Sequence, residues 1–151
     1  MSSLSLTSAA RLSTGRDVPL LGFGVAYGFG KKDEDPAEIT KPSLLEALRV
    51  GYRHVDTAQM YKNEKETADA IRESGIDREE IFVTSKVQES DAGYERTSAA
   101  VDTSVKAMGF DYLDLYLIHS PPTGTQVRLE TYRALLDAKK QGKIRSVGVS
   151  N

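Results

Sequence analysis

The stretch FDYLDLYLIHSP, residues 110–121, contains the clearest β-strand of the 151-residue sequence. Within it, Leu113, Leu115, Leu117 and His119 alternate with other residues and therefore share one face of the strand. A helical apolar pattern that ends in a glycine precedes this strand, and another follows it. A buried strand between two helices is typical of a βα repeat, so this stretch predicts a parallel α/β fold.

The same alternation of strands and helices extends outward in both directions. Short apolar runs predict four more strands, and amphipathic patterns between them predict helices. One of these helices is predicted to begin at Asn63, with Glu66 completing a capping box. Four βα units followed by a fifth strand fit either a doubly wound sheet or part of a (β/α)₈ barrel, which takes ~250 residues. The predicted strands are 19–23, 54–57, 81–86, 112–119 and 146–149.

The first 16 residues are rich in serine and threonine and contain two arginines but no acidic residue, as transit peptides do. Apolar residues on both sides of Thr14 and Gly15 predict a short β-hairpin instead. The longest uncharged, apolar-looking stretch, residues 20–30, contains four glycines and is too short for a bilayer, which takes ~20 apolar residues. We therefore expect a cytoplasmic protein without a membrane partner.

The composition is typical of a soluble globular domain. The 20 Lys and Arg residues nearly balance 22 Asp and Glu residues, and the net charge of −2 argues against nucleic acid as the main partner. Cysteine is absent, which excludes disulfides, thiol catalysis and cysteine-based zinc sites. Only two histidines are present, and they are not close in sequence, so we expect no metal site.

The four glycines within residues 22–30, followed by Lys31, invite a phosphate-binding interpretation that the spacing does not support. A P-loop needs glycine where Val25 stands and serine or threonine where Lys32 stands. The dinucleotide-binding pattern needs a glycine where Tyr27 stands. We expect these glycines to form a mobile loop over the mouth of a site.

Four ionisable residues lie where a parallel α/β protein places its site. Asp56, Lys86 and His119 end three successive predicted strands, and Tyr61 lies just beyond the first of these ends. Because the carboxyl ends of parallel strands meet at one edge, we expect the four side chains to converge on one cavity. His54 lies one pleat repeat below Asp56, and we expect it to be structural.

Each of the four residues alone has a plain structural explanation: a solvated lysine, a hydrogen-bonded core histidine or a packed tyrosine. Together they favour protonation of an alkoxide as it forms. Asp56 would hold the Lys86 ammonium, and an ammonium makes a neighbouring phenol a better proton donor. Tyr61 and His119 would then form an oxyanion pocket. A serine hydrolase is disfavoured because no Gly-x-Ser-x-Gly elbow exists.

Four segments carry a resemblance to a known family: GYRHVDTAQMYKNE (51–64), VTSK (83–86), FDYLDLYLIHSP (110–121) and GKIRSVGVSN (142–151). With the hairpin and PLLGFG, they make nearly the whole sequence similar to the aldo-keto reductase superfamily. The resemblance implies an α/β fold of the (β/α)₈ TIM-barrel type, here an N-terminal β-hairpin, about four βα units and a fifth strand. It also implies that residues 1–151 form an NADP-dependent oxidoreductase domain that is incomplete at its C-terminus.

The resemblance further implies NADPH-dependent reduction of an aldehyde or ketone to an alcohol. Tyr61 matches the family's general acid, Asp56 and Lys86 match the pair that tunes it, and His119 matches the residue that orients the substrate carbonyl. The matching cofactor-binding residues, for NADP(H), are Gly24, Val25, Asp56, Ser150 and Asn151.

The sequence departs from the family at the substrate mouth. Val25, Ala26 and Tyr27 stand where many relatives have Thr-Trp after the glycine, Gln88 replaces a frequent aromatic, and Ser120 follows the histidine. Tyr27 and His119 are therefore the candidate substrate-binding residues, and the identity of the small-molecule carbonyl substrate stays open.

A sheet that stops after its fifth strand would leave the first and fifth strands with open edges. We expect such a chain to be marginally stable, to bind the cofactor weakly, to have little or no activity alone and to self-associate through these edges. Two alternatives remain: a non-catalytic binding or regulatory member of the same superfamily, and an unrelated α/β domain with a chance set of strand-end residues.

Overall fold

The computed structural model describes residues 4–27, 35–122 and 124–151, and the predicted mobile loop falls largely outside them. Within these ranges, the chain folds as an α/β protein with a two-stranded hairpin, a five-stranded parallel sheet and four α-helices. The hairpin is β1 (Ala9–Arg11) and β2 (Asp17–Pro19), the sheet is β3 (Phe23–Gly24), β4 (His54–Asp56), β5 (Phe82–Val87), β6 (Leu113–Ile118) and β7 (Ile144–Val149), and the helices are α1 (Pro36–Arg49), α2 (Glu64–Glu73), α3 (Tyr94–Met108) and α4 (Thr125–Lys140).

The strand order of the parallel sheet is β3-β4-β5-β6-β7, which is the order of the chain. A doubly wound sheet reverses its strand order at a switch point, whereas consecutive strands of a (β/α)₈ barrel are always neighbours. The sequential order therefore decides between the two folds that the sequence left open. The predicted part of a barrel is confirmed, as is the antiparallel hairpin before it.

The core lies between the sheet and the helices. On β6, Tyr116 is fully buried beneath the helical layer, while Leu115 and Leu117 on the opposite face are only half-buried. Along this part of β6, the face of the sheet opposite the helices is therefore the more open one. The large side chains buried almost completely in the core include Leu44, Leu48, Val55, Ile71, Val83, Met108, Leu113, Tyr116, Leu135 and Ile144.

The start of α1 and the end of α3 follow local sequence signals. The Asp35 side chain caps α1 by accepting a hydrogen bond of 3.0 Å from the Ala37 N–H, and Gly109 ends α3 in the left-handed conformation with φ 62°. The predicted capping box at Asn63 is wrong. The Asn63 side chain makes no bond to the first turn of α2 and instead reaches across the chain.

The hairpin packs against the amino ends of the parallel strands. Thr14 Oγ1 and Ser146 Oγ are 3.0 Å apart, and the Pro19 carbonyl lies 3.2 Å from Nδ1 of His54. Gly22 is needed beside this contact, because a Cβ there would lie 2.9 Å from His54 Nδ1. The hairpin thus occupies the end of the sheet opposite the ends where the candidate site residues lie.

His54 is a neutral structural residue at this junction. The Pro19 carbonyl can only accept, so His54 Nδ1 donates to it, and Nε2 accepts from the Thr84 hydroxyl at 3.0 Å. Burial lowers the pKa of His54 from its ordinary value of 6.5, although the Pro19 hydrogen bond acts in the opposite direction. The folded chain therefore resists protonation of this ring.

Both edges of the parallel sheet are open among the residues that the structure describes. β3 pairs only with β4, and β7 pairs only with β6. Val149 on β7 is 70% exposed, and Leu129 on α4 is 56% exposed. No helix in the described ranges is long and apolar enough to cross a membrane.

The lowered pKa of His54 predicts a loss of stability in acid. The unfolded chain binds a proton that the folded chain resists, so the free energy of unfolding falls as the pH drops below about 6.5. The His54→Asn variant keeps a donor for Pro19 but cannot titrate. Urea unfolding at pH 7.5 and pH 5.5 should give a smaller acid-induced loss for the variant; equal losses would contradict the prediction.

Candidate active site

Three successive strands deliver the candidate residues to one end of the sheet. Asp56 is the last residue of β4, Lys86 lies one residue before the end of β5, and His119 directly follows β6. Tyr61 ends the 3₁₀ turn Gln59–Tyr61 that follows β4. All four residues therefore lie at the carboxyl ends of the parallel strands or in the loop beyond them.

The Lys86 ammonium lies between a carboxylate and a backbone carbonyl. Its Nζ donates to Asp56 Oδ1 and to the Thr57 carbonyl oxygen, the latter at 3.1 Å. The Lys86 side chain is 7% exposed, while that of Asp56 is 35% exposed. The Thr57 N–H donates to the Thr84 carbonyl at 2.9 Å, which holds the end of β4 against β5. The cation is thus buried, and the end of the neighbouring strand supplies a carboxylate and a carbonyl as its acceptors.

The Tyr61 ring contacts both the cation and the imidazole. Its centroid lies 5.1 Å from Lys86 Nζ and 5.5 Å from the His119 ring centroid, and the two rings meet edge to face at 84°. The Tyr61 N–H donates to the Ala58 carbonyl at 3.0 Å, and Lys62 turns the chain with a left-handed φ of 56°. The 3₁₀ turn therefore holds the Tyr61 side chain at the carboxyl ends of the parallel strands.

His119 is held in its neutral form. Burial lowers the pKa of His119, and the positive charge of Lys86 lowers it further. Its Nδ1 is buried and neither donates nor accepts a hydrogen bond within the described part of the chain. A neutral imidazole offers one N–H donor and one acceptor nitrogen. The ring can therefore donate a hydrogen bond to an oxygen placed beside Tyr61.

Ser150 and Asn151 are anchored next to His119. The Ser150 N–H donates to the Ile118 carbonyl at 2.9 Å, and Asn151 Nδ2 donates to the His119 carbonyl at 2.8 Å and to Ser150 Oγ at 3.1 Å. These bonds leave the Ser150 hydroxyl proton and Asn151 Oδ1 to pair with a ligand. One donor and one acceptor fit a primary carboxamide, such as that of nicotinamide.

Gly24 and Val25 border Asp56 on the other side. The Val25 N–H donates to the Asp56 carbonyl at 3.0 Å, and the Val25 side chain is fully buried. Gly24 is exposed, and a Cβ built on it would meet no atom of the described residues within 4 Å. Steric contacts within the described ranges therefore do not explain the glycine, whose bare backbone would suit the close approach of a ligand.

The structure does not gather every candidate residue around the four-residue cluster. Tyr27 is half-buried and packs against the hydrophobic core, and its N–H donates to the Val25 carbonyl at 3.1 Å. Gln88 donates to Asp91 at 2.9 Å, and Ser120 is half-buried beyond His119. Within the ranges that the structure describes, no group of three or more His, Cys, Asp or Glu residues has metal-binding geometry.

Two polar residues near the site escaped the sequence interpretation. Thr57 provides the carbonyl that accepts from Lys86, and Asn63 bonds to the loops after β3 and β4. A main-chain acceptor leaves no trace in the residue type. An asparagine at the start of a helix ordinarily indicates a cap, so no local signal distinguishes a buried bridge.

The Aldo/keto reductase family model matches residues 20–151. The chain belongs to this family. Among curated relatives, the glyoxal reductase of Bacillus subtilis is 46% identical over 147 residues, which cover 97% of this chain and 50% of the relative. The chain thus spans about half the length of the curated relatives that it matches.

Solved structures of aldo-keto reductases share the fold and extend beyond it. The aldo/keto reductase from Brucella melitensis superposes with a TM-score of 0.86 at 44% identity, covering 96% of this chain and 54% of the other. The Bombyx mori aldo-keto reductase, crystallised in complex with NADP, superposes with a TM-score of 0.86 at 31% identity, covering 97% of this chain and 51% of the other.

Because Lys86 is more deeply buried than Asp56, removing Asp56 should lower the free energy of unfolding more than removing Lys86. Asp56→Ala leaves a buried ammonium with one carbonyl acceptor and should lower the free energy of unfolding by about 2 kcal/mol. Lys86→Met keeps the apolar stem and leaves a carboxylate with access to water, so it should cost clearly less. Urea unfolding followed by circular dichroism measures both; the reverse order would contradict the assignment of the buried charge.

Proposed function

We propose that residues 1–151 are an NADP(H)-dependent reductase domain that converts an aldehyde or ketone to an alcohol, with Tyr61 as the general acid. The observation that carries the proposal is the contact of one phenol with both a buried ammonium and a neutral imidazole. Family membership and the NADP-bound structure of the Bombyx mori relative support it.

The residues around the cluster fit the nicotinamide end of NADP(H). Ser150 and Asn151 would bind the carboxamide, and the backbone at Gly24 and Val25, beside Asp56, would border the ring and its ribose. When bound, the nicotinamide supplies a hydride to the carbonyl carbon. The residues of the chain then have to bind the carbonyl oxygen and supply the proton.

Tyr61 and His119 perform that second task. The neutral His119 ring donates a hydrogen bond to the carbonyl oxygen, which polarises the carbonyl and places the oxygen beside the phenol. As negative charge develops on this oxygen, Tyr61 gives it a proton. The Lys86 ammonium, 5.1 Å from the Tyr61 ring centroid, stabilises the phenolate that remains. Asp56 holds the ammonium in place.

The proton-donor role predicts that Tyr61→Phe lowers kcat/KM by about 10² to 10⁴-fold, because general acid catalysis contributes that much. The assay follows NADPH oxidation with glyoxal or an activated aromatic aldehyde. Tyr112→Phe is the matched control, since the Tyr112 hydroxyl is buried at the amino end of β6 and makes no hydrogen bond within the described ranges.

The assay needs two backgrounds because the chain spans half the length of its relatives. The 151-residue chain is expected to show weak turnover or none, and a fusion to the remaining half of the Bacillus subtilis relative is expected to turn over. Fusion activity that survives Tyr61→Phe unchanged would contradict the mechanism. NADPH binding without turnover in either background would instead favour a non-catalytic binding member of the family.

We also propose that the chain self-associates through the open edge of β7. An unpaired strand edge is a template for pairing with a second copy, and the exposed Val149 and Leu129 lie beside it. Light scattering during gel filtration should give a mass that rises with concentration. Leu129→Glu should weaken this association, whereas Val50→Glu, at a residue 47% exposed at the end of α1, should not. A monomer at all concentrations with a cooperative melt above about 50 °C would contradict the proposal.

A further inference from the structure

Asn63 is a fully buried amide whose donors and acceptor all bind outside its own helix. Its Oδ1 accepts from the Thr57 hydroxyl at 2.8 Å, and its Nδ2 donates to the Val25 carbonyl at 2.7 Å and to Thr40 Oγ1 at 2.8 Å. Thr40 in turn donates to the Pro36 carbonyl at 2.6 Å. The Val25 carbonyl can only accept, which fixes the orientation of the amide.

These bonds join two loops that each reach the candidate active site. Val25 follows β3, and its N–H donates to the Asp56 carbonyl at 3.0 Å. Thr57 follows β4, and its carbonyl accepts from Lys86 Nζ at 3.1 Å. Asn63 therefore bonds directly to Val25, the residue beside Gly24. It also bonds directly to Thr57, the residue whose carbonyl accepts from the Lys86 ammonium.

Helix capping does not explain this arrangement. A capping asparagine accepts from an N–H in the first turn of its helix, and Asn63 makes no such bond. The preceding Lys62 adopts the left-handed conformation with φ 56°, which costs a non-glycine residue conformational energy. The backbone thus turns unfavourably at the position from which the Asn63 side chain enters the space between the two loops.

We propose that Asn63 is a positioning residue that sets the spacing between the cofactor-facing backbone at Val25 and the Lys86 ammonium. The inference rests on the proposed function, because that function gives the two loops their roles. Asn63 acts through Val25 and Thr57 and touches neither the substrate nor the nicotinamide. Its loss would move one loop, or both, while the strands remain in register.

Two substitutions distinguish the contributions of the two loops. As a carboxylate, Asn63→Asp still accepts from Thr57 but can no longer donate to the Val25 carbonyl or to Thr40 Oγ1. Of the two loops, it therefore releases only the Val25 loop. Asn63→Ala releases both loops. Thr67→Val is the structural control, because the Thr67 hydroxyl is equally buried and donates to the Asn63 backbone carbonyl at 2.8 Å, away from both loops.

The first measurement is amide hydrogen exchange on the 151-residue chain. Asn63→Asp should speed exchange of the Val25 N–H about tenfold and leave the Thr57 N–H protected, while Asn63→Ala should speed both. Thr67→Val should speed neither, even when urea unfolding shows a comparable loss of stability. Equal effects of all three variants, or unchanged exchange at Val25 in Asn63→Asp, would overturn the proposal.

The second measurement is NADPH affinity by fluorescence titration, with kinetics in the fusion. Asn63→Asp should raise the Kd and the KM for NADPH about tenfold and leave kcat nearly unchanged, whereas Asn63→Ala should also lower kcat. A Kd that stays constant while Val25 exchange rises would overturn the positioning role. Failure of the wild-type chain and fusion to bind NADPH would refute the proposed function and the cofactor half of this inference, and exchange alone would then decide whether Asn63 couples the loops.

Discussion

The candidate site depends on burying one ammonium without leaving it uncompensated. The Lys86 side chain is almost completely buried. Burial of its charge requires the hydrogen bonds that Asp56 and the Thr57 carbonyl accept at the end of β4. The same cation borders the Tyr61 ring, and it adds to the effect of burial in lowering the pKa of His119. One charge therefore contributes to the neutral state of the imidazole and to the electrostatic environment of the phenol.

The sequence predicted the strands and helices because their signals were local. The alternation around Leu115 and Leu117 indicated a strand, and a glycine such as Gly109 indicated a helix end. Strand-end residues could also be expected to converge, since parallel strands end at one edge. The predicted cap at Asn63 was wrong because the partners of its amide, Thr40 and Val25, lie 23 and 38 residues away in the chain. A pattern within a few residues carries no information about such pairing.

The choice between sheet types also needed more than the rhythm of strands and helices. Periodicity indicates how many strands there are but not which of them are neighbours. Pairing of β3 through β7 in chain order settled the matter, and superposition on aldo-keto reductases agrees with it. The half-buried Leu115 and Leu117 mark the inner face of the sheet, which in a closed barrel is filled by side chains from the strands opposite.

The chain-order pairing of strands bears on how the protein is made. Each strand from β4 to β7 hydrogen-bonds to the strand synthesised just before it, so sequence separation between partners stays at about one βα unit. Successive units can therefore dock as they leave the ribosome. Asp56, Tyr61, Lys86 and His119 all precede β7. The constellation can therefore assemble during translation before β7 has emerged.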